Sequence, residues 1–289
     1  IRGSEKDSSG NKTLVLPLST AHNTMNYTPF LEFALETAKA GGNVLMKHFG
    51  NITNIHSKST DIDLLTIADT ESENIILEKI HSVYPDHHII SEESAIKEKK
   101  SNYQWVIDPL DGTTNFVHNF PIFAVSIALQ HKDKTILGVV YNPAADKCFW
   151  AEKNGGAFLN EKRIKVTSTN TLSNSLLVTG FPYIIDNKWE VGFDLFKELY
   201  GKTQGIRRLG AASLDFCFVA MGRFEGFWEF GLQPWDVCAG GLILAEAGGM
   251  ISDWDGSPMP FSGNRVLATN GHVHKEMMTL LEKEMLTFK

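Results

Sequence analysis

Residues 104–116, Gln-Trp-Val-Ile-Asp-Pro-Leu-Asp-Gly-Thr-Thr-Asn-Phe, concentrate side chains that can do chemistry on a charged substrate. Asp108 and Asp111 are three residues apart across a proline, so a turn can aim both carboxylates at one point. The carbonyl oxygen of Leu110 can join them, and an all-oxygen set of this kind suits a hard divalent cation such as Mg²⁺. Beyond them, Gly112, Thr113, Thr114 and Asn115 offer hydroxyls and backbone N–H groups able to cradle an anion held by the cation. Each residue of Asp-Pro-x-Asp-Gly also has a turn-forming reason to be there, so the stretch alone reads equally well as a turn.

The elements that would position these groups are legible on either side. Trp105-Val106-Ile107 reads as the end of a buried strand, with Asp108 at its carboxyl end and Pro109 forcing the chain out of the ladder. Upstream, Thr28-Pro29 is an N-cap followed by proline at the first helical position, and that helix runs to about Phe49-Gly50. Residues 51–63 are polar and irregular and read as an exposed loop containing Lys58, Asp61 and Asp63. Asp69, Glu71 and Glu73 open a second helix, acidic in its first turn as the helix dipole favours. A short strand from His88 runs into the carboxylate pair Glu92-Glu93.

From Phe123 to Val166 the pattern is short alternating runs broken by turn residues, the pattern of an antiparallel meander. Strand and helix then alternate. Helices are expected at about 189–200, 211–221, 237–247 and 274–286, and strands at about 176–180, 206–209, 226–230, 250–253 and 266–270. The change of rhythm predicts two sub-domains, 26–170 and 171–289, after a vector-derived or processed leader at 1–25.

A chain of 289 residues can bury a substantial core, and 43% hydrophobic with 21% charged residues places it among soluble globular proteins. A formal net charge of −7 argues against a nucleic-acid-binding surface as its main business. No apolar stretch is long enough to span a bilayer. Cys148, Cys217 and Cys238 are scattered, which fits reduced thiols of a cytoplasmic protein better than a disulfide framework.

Asp69, Glu92-Glu93, Asp108/Asp111, Glu229 and Asp236 all stand beside apolar strand ends or helix starts. Asp236 at the head of an apolar helix would, on its own, be an N-cap. Together these carboxylates, with no histidine or cysteine among them, specify a Mg²⁺-type site over a zinc site. Asp61-Ile62-Asp63 superficially matches an aspartyl-nucleophile motif, but the segment before it is polar where an apolar strand is needed. No Gly-x-Ser-x-Gly, Walker loop, Gly-x-Gly-x-x-Gly or His-Glu-x-x-His is present.

From about Thr28 to its end, the chain resembles the inositol monophosphatase family of lithium-sensitive, Mg²⁺-dependent phosphatases. The resemblance is carried by Glu92-Glu93-Ser94, by Trp105 through Phe116, and by Trp235-Asp236-x-x-Ala239-Gly240, in that order. It implies a five-layer α/β sandwich, α-β-α-β-α, and a homodimer. By the same resemblance, Glu92, Asp108 and the Leu110 carbonyl hold one Mg²⁺, and Asp108, Asp111 and Asp236 a second. A third, weaker ion in some family models leans on Glu92. Asp69 and Thr113 orient and activate the attacking water, and the Gly112 and Thr113 N–H groups bind phosphate. Gly210, Ala211, Ala212 and Glu229 face the substrate's hydroxyls, although serine or threonine is common where Ala211 stands. Lys58, Asp61 and Asp63 fall on the family's mobile metal-site loop.

The chemistry these roles imply is in-line hydrolysis of a phosphate monoester without a phosphoenzyme. Asp-Gly-Thr-Thr-Asn-Phe with Glu229-Phe230-Gly231 resembles the inositol phosphate branch, which makes inositol 1-phosphate the expected substrate. Relatives acting on fructose 1,6-bisphosphate, histidinol phosphate or 3′-phosphoadenosine phosphate are the alternatives. Arg207-Arg208-Leu209-Gly210 and residues 222–229 resemble bacterial members that also act as regulatory partners of RNA polymerase.

Overall fold

A computed structural model of the chain describes residues 28–51, 55–57, 64–94, 100–182, 187–259 and 263–285. Lys58, Asp61 and Asp63 lie outside the described residues, as does the expected leader. The first helix, α1 (Pro29–His48), begins as its sequence predicts, with the Thr28 hydroxyl accepting from the Leu31 N–H at 3.4 Å. Strands β1 (Ile55–Ser57) and β2 (Leu64–Thr66) pair antiparallel and lead into α2 (Ile67–Val83).

Seven strands then form one sheet whose spatial order is their chain order. They are β3 (His88–Ser91), β4 (Tyr103–Asp111), β5 (Ala124–His131), β6 (Lys134–Asn142), β7 (Lys147–Glu152), β8 (Gly156–Leu159) and β9 (Lys162–Ile164). Only the β3–β4 pair is parallel, and the rest is the expected meander. A short helix, α3 (Thr113–Val117), joins β4 to β5.

The remaining elements are β10 (Leu176–Thr179), α4 (Asn187–Tyr200), β11 (Gly205–Arg207), α5 (Ala212–Ala220), β12 (Gly226–Phe230), α6 (Pro234–Glu246), β13 (Met250–Ser252), β14 (Arg265–Thr269) and α7 (His274–Met285). Their strands make a second, five-stranded sheet in the order β11-β10-β12-β14-β13.

Three buried clusters account for the layering. Side chains on successive residues of a strand point to opposite faces. Trp105, Ile107, Ile127 and Val139 accordingly pack under α1 and α2. Val106, Ala128, Val140 and Phe149 face the other way, into a core shared with α5, α6 and one face of the second sheet. The outer face of that second sheet, through Leu177, Trp228 and Leu267, packs with α4 and α7 residues such as Leu195, Leu199 and Met277. The result is the α-β-α-β-α sandwich. Its middle layer requires close approach: a Cβ on Gly138 of β6 would stand 2.7 Å from the Ala239 carbonyl oxygen of α6. Among the described residues no helix is long and apolar enough to cross a membrane.

Candidate active site

Pro109 does not carry the chain out of the sheet. The ladder pairs Asp108 with Ser126 and Asp111 with Ala124, so β4 holds one extra residue between those pairs. A proline has no N–H to give a ladder, and a bulge is where a strand accommodates it. The bulge also reverses the strand's alternation. Residues three apart on a regular strand face opposite sides, and one extra residue turns Asp108 and Asp111 to the same side. Gly112 then takes the left-handed region at φ 89°, where a Cβ would meet the Ile122 carbonyl oxygen at 3.0 Å and Ala211 Cβ at 3.2 Å.

The third carboxylate arrives from the opposite half of the chain. Asp236 is the third residue of α6, not its N-cap as the isolated sequence suggests. Its Oδ2 accepts from the N–H of Gln233, the capping residue, at 2.7 Å. Asp108, Asp111 and Asp236 each bring one carboxylate oxygen within 4.8 Å of the others. Glu92 lines the same cavity, which measures about 510 Å³. Leu110 buries its side chain beneath α1 and α2. Its carbonyl oxygen lies 3.1 Å from Thr113 Oγ1, on the turn that lines the cavity.

Electrostatics mark this cluster as incomplete by itself. Burial, and then the charges of Glu92, Asp111 and Asp236, hold the Asp108 carboxyl well above the ordinary carboxylate range. Asp236 is raised by burial first, then by Asp111 and Glu92. Asp111 is raised to about 6 by burial, against the lowering effect of hydrogen bonds from Ser213. A hard divalent cation is the counter-charge such a cluster fits, because every donor is oxygen and Asp108 and Asp111 are buried, with Asp236 half-buried beside them.

At the cavity edge Thr113 Oγ1 donates to Asp69 Oδ1 at 3.1 Å. Asp69 is fully buried, and its Oδ2 accepts from the Thr66 N–H at 2.8 Å and the Thr66 hydroxyl at 2.6 Å. Asp69 and Asp236 thus occupy the same position of two different helices, each held by a bond to its own capping residue. The helix N-terminus favours negative charge at both.

Gly112, Gly210, Ala211 and Ala212 line the cavity, together with Glu229, Arg208 and the apolar side chains of Phe181, Leu232 and Trp235. Glu229 is raised to about 8, by burial first, opposed by Arg208. Its carboxyl sits so close over Gly180 that a Cβ there would fall 2.2 Å from either oxygen.

Sequence reasoning missed Ser213 and Asp215, and the bridging role of the Asn115 side chain, in holding this arrangement. Ser213 donates its N–H and its hydroxyl to Asp111 Oδ2. Asn115 Nδ2 bridges the Ile122 and Leu209 carbonyls at 2.7 Å each, tying α3 to the wall beneath Arg208. Burial, and then the charges of Glu229 and Asp111, keep the Asp215 carboxyl well above the usual range. Only the Thr66-x-x-Asp69 spacing carried a readable signal, that of a capping box.

Residues 26–286 match the model of the inositol monophosphatase family. An inositol-1-monophosphatase of Synechocystis is 44% identical over 253 residues, covering 87% of this chain and 88% of that protein. A Nus factor SuhB of Pasteurella multocida is 40% identical, covering 88% and 96% respectively. Among solved structures, the extragenic suppressor protein suhB of Bartonella henselae superposes with a TM-score of 0.85. It is 35% identical and covers 89% of this chain and 99% of its own.

Proposed function

Since the chain belongs to the inositol monophosphatase family, we propose that it hydrolyses inositol 1-phosphate to myo-inositol and phosphate by direct attack of water. The observation that carries this reading is the meeting of Asp108, Asp111 and Asp236 at one cavity, beside the Asp69–Thr113 hydrogen bond. In this reading Glu92, Asp108, Asp111, Asp236 and the Leu110 carbonyl hold two Mg²⁺ ions, with a third, weaker one leaning on Glu92. When bound, the ions supply Lewis acidity for the attacking water and charge neutralisation for the departing oxygen.

The chain's own residues do the rest. With its one proton given to Asp69, Thr113 Oγ1 can accept a proton from water while its own proton moves toward Asp69 Oδ1. The Gly112 and Thr113 N–H groups, at the start of α3, hold phosphate oxygens. Gly210, Ala211, Ala212 and Glu229 receive the polyol, with Glu229 hydrogen-bonding its hydroxyls. The small side chains of Ala211 and Ala212 leave the ring room, and Phe181, Leu232 and Trp235 limit access of bulk water.

Phosphate release tests this directly. Inositol 1-phosphate should be turned over with Mg²⁺, lose turnover in EDTA and be inhibited by lithium. Fructose 1,6-bisphosphate, histidinol phosphate and 3′-phosphoadenosine phosphate should react more slowly. A faster rate on any of these, or a rate indifferent to EDTA, removes the assignment. The same reading places the protein in the cytoplasm as a homodimer, which sedimentation of the purified chain would check.

A second reading draws support from relatives that bear the name Nus factor. Arg207 and Arg208 are exposed, and a regulatory contact with RNA polymerase could use them. Retention of purified RNA polymerase by the immobilised chain, lost on Arg207→Ala, would support it without excluding catalysis.

A further inference from the structure

Helix α2 reaches three segments of the cavity floor from one face. Asp69 accepts from Thr113, and Ser72 Oγ donates to the Pro109 carbonyl at 2.9 Å. Glu73 accepts from Ser91 Oγ and, at 2.7 Å, from Ser94 Oγ. Positions i, i+3 and i+4 share a helix face, which is why these side chains point together.

Glu73 is the unexpected member. The sequence places Glu73 in a first turn where the dipole alone would suit it, but α2 begins at Ile67, so Glu73 is its seventh residue, and it is only 4% exposed. A carboxylate there is tolerable only when donors surround it. Each serine hydroxyl has one proton, and both are committed to Glu73. The two serines bracket Glu92 and Glu93. Ser91 is held in β3 by pairing with Ile107, and the Glu92 N–H reaches the Ile107 carbonyl at a long 3.3 Å. Beyond that point the β3–β4 ladder ends. Glu73 therefore spans the segment from which Glu92 projects, like a staple with one foot on each side.

We propose that Glu73 is a positioning residue for the cation site: by fixing Ser91 and Ser94 it sets the placement of Glu92, and so the affinity for Mg²⁺. The inference rests on the metal-dependent reading given above.

Calorimetric titration of Mg²⁺ into EDTA-stripped protein, without substrate, reads affinity apart from turnover. Glu73→Ala should weaken Mg²⁺ binding by about 10- to 100-fold, the usual range for partners that orient metal ligands. Glu73→Gln removes the same charge but keeps one acceptor and one donor for the two serines, and should recover most of the affinity. Ser94→Ala should weaken binding less than Glu73→Ala, in the same direction. With Mg²⁺ saturating, kcat in Glu73→Gln should stay within roughly threefold of the parent.

Unchanged Mg²⁺ affinity in folded Glu73→Ala overturns the proposal, as does a loss confined to kcat. Should Glu73→Ala fail to fold, Ser94→Ala decides by the same criterion. A parent chain that takes up no Mg²⁺ brings down the phosphatase reading and this inference together. A parent that binds Mg²⁺ no better than Glu73→Ala brings down this inference alone.

Discussion

Ser213 donates twice to a single oxygen of Asp111, through its N–H at 2.8 Å and its hydroxyl at 2.5 Å. The two residues lie on either side of the shared core, one at the end of β4 and one in the first turn of α5. The bond therefore couples the placement of a candidate ligand to the docking of α5. It also opposes the rise in the Asp111 pKa that burial imposes.

Removing that hydroxyl should raise the Asp111 pKa and loosen its geometry. Ser213→Ala is expected to raise the Mg²⁺ concentration for half-maximal activity by about 10-fold, within the range for lost partners of metal ligands. Phosphate release over a Mg²⁺ series measures it, and an unchanged midpoint would separate Ser213 from the site.

In the proposed mechanism Asp69 and Thr113 act on water and not on the cation, so their loss should appear in turnover. Thr113→Ala and Asp69→Asn are each expected to lower kcat by about 10²- to 10⁴-fold, with Mg²⁺ affinity by calorimetry little changed. Asp108→Asn should instead abolish both Mg²⁺ binding and turnover. If the two groups of variants gave the same pattern, the division of roles would be wrong.

Stability should depend on pH in an unusual direction while the cluster has no cation. The ordinary values of 3.8 for Asp111 and 4.5 for Glu229 rise to about 6 and about 8 in the folded chain. Between the ordinary and the folded value, the folded chain binds more protons than the unfolded one, so these groups lose stability as pH rises. The windows run from 3.8 to about 6 for Asp111 and from 4.5 to about 8 for Glu229. In EDTA the protein should melt at a higher temperature at about pH 6 than at about pH 8, and saturating Mg²⁺ should flatten the difference. Scanning calorimetry at constant ionic strength checks both. A melting temperature that climbs toward pH 8 in EDTA would contradict the assignment.

The contact of Gly138 with Ala239 leaves no space for a side chain, and neither partner atom is the flexible end of one. Gly138→Ala should destabilise the fold by about 1–3 kcal/mol, the usual range for overpacking. Urea unfolding would show it as a lower midpoint at unchanged slope. A neutral effect would mean that α6 can shift away from β6.

Local physics was enough to read much of this protein from its residues. The cap at Thr28-Pro29, the meander after Phe123 and the apolar helix after Asp236 all depend on neighbours close in the chain, and each segment that carries the family resemblance is short and continuous. Pairing and packing decided the rest. Whether Asp108 and Asp111 share a side depends on how Ser126 and Ala124 register against them, which nothing within residues 104–116 determines. Glu73 looked like a helix-dipole residue because its serine partners lie 18 and 21 residues away. Ser213 carried no signal because its partner is 102 residues distant. Short-range preferences are written where they act, whereas the aim of a buried carboxylate is set by whichever donors the folded layers bring to it.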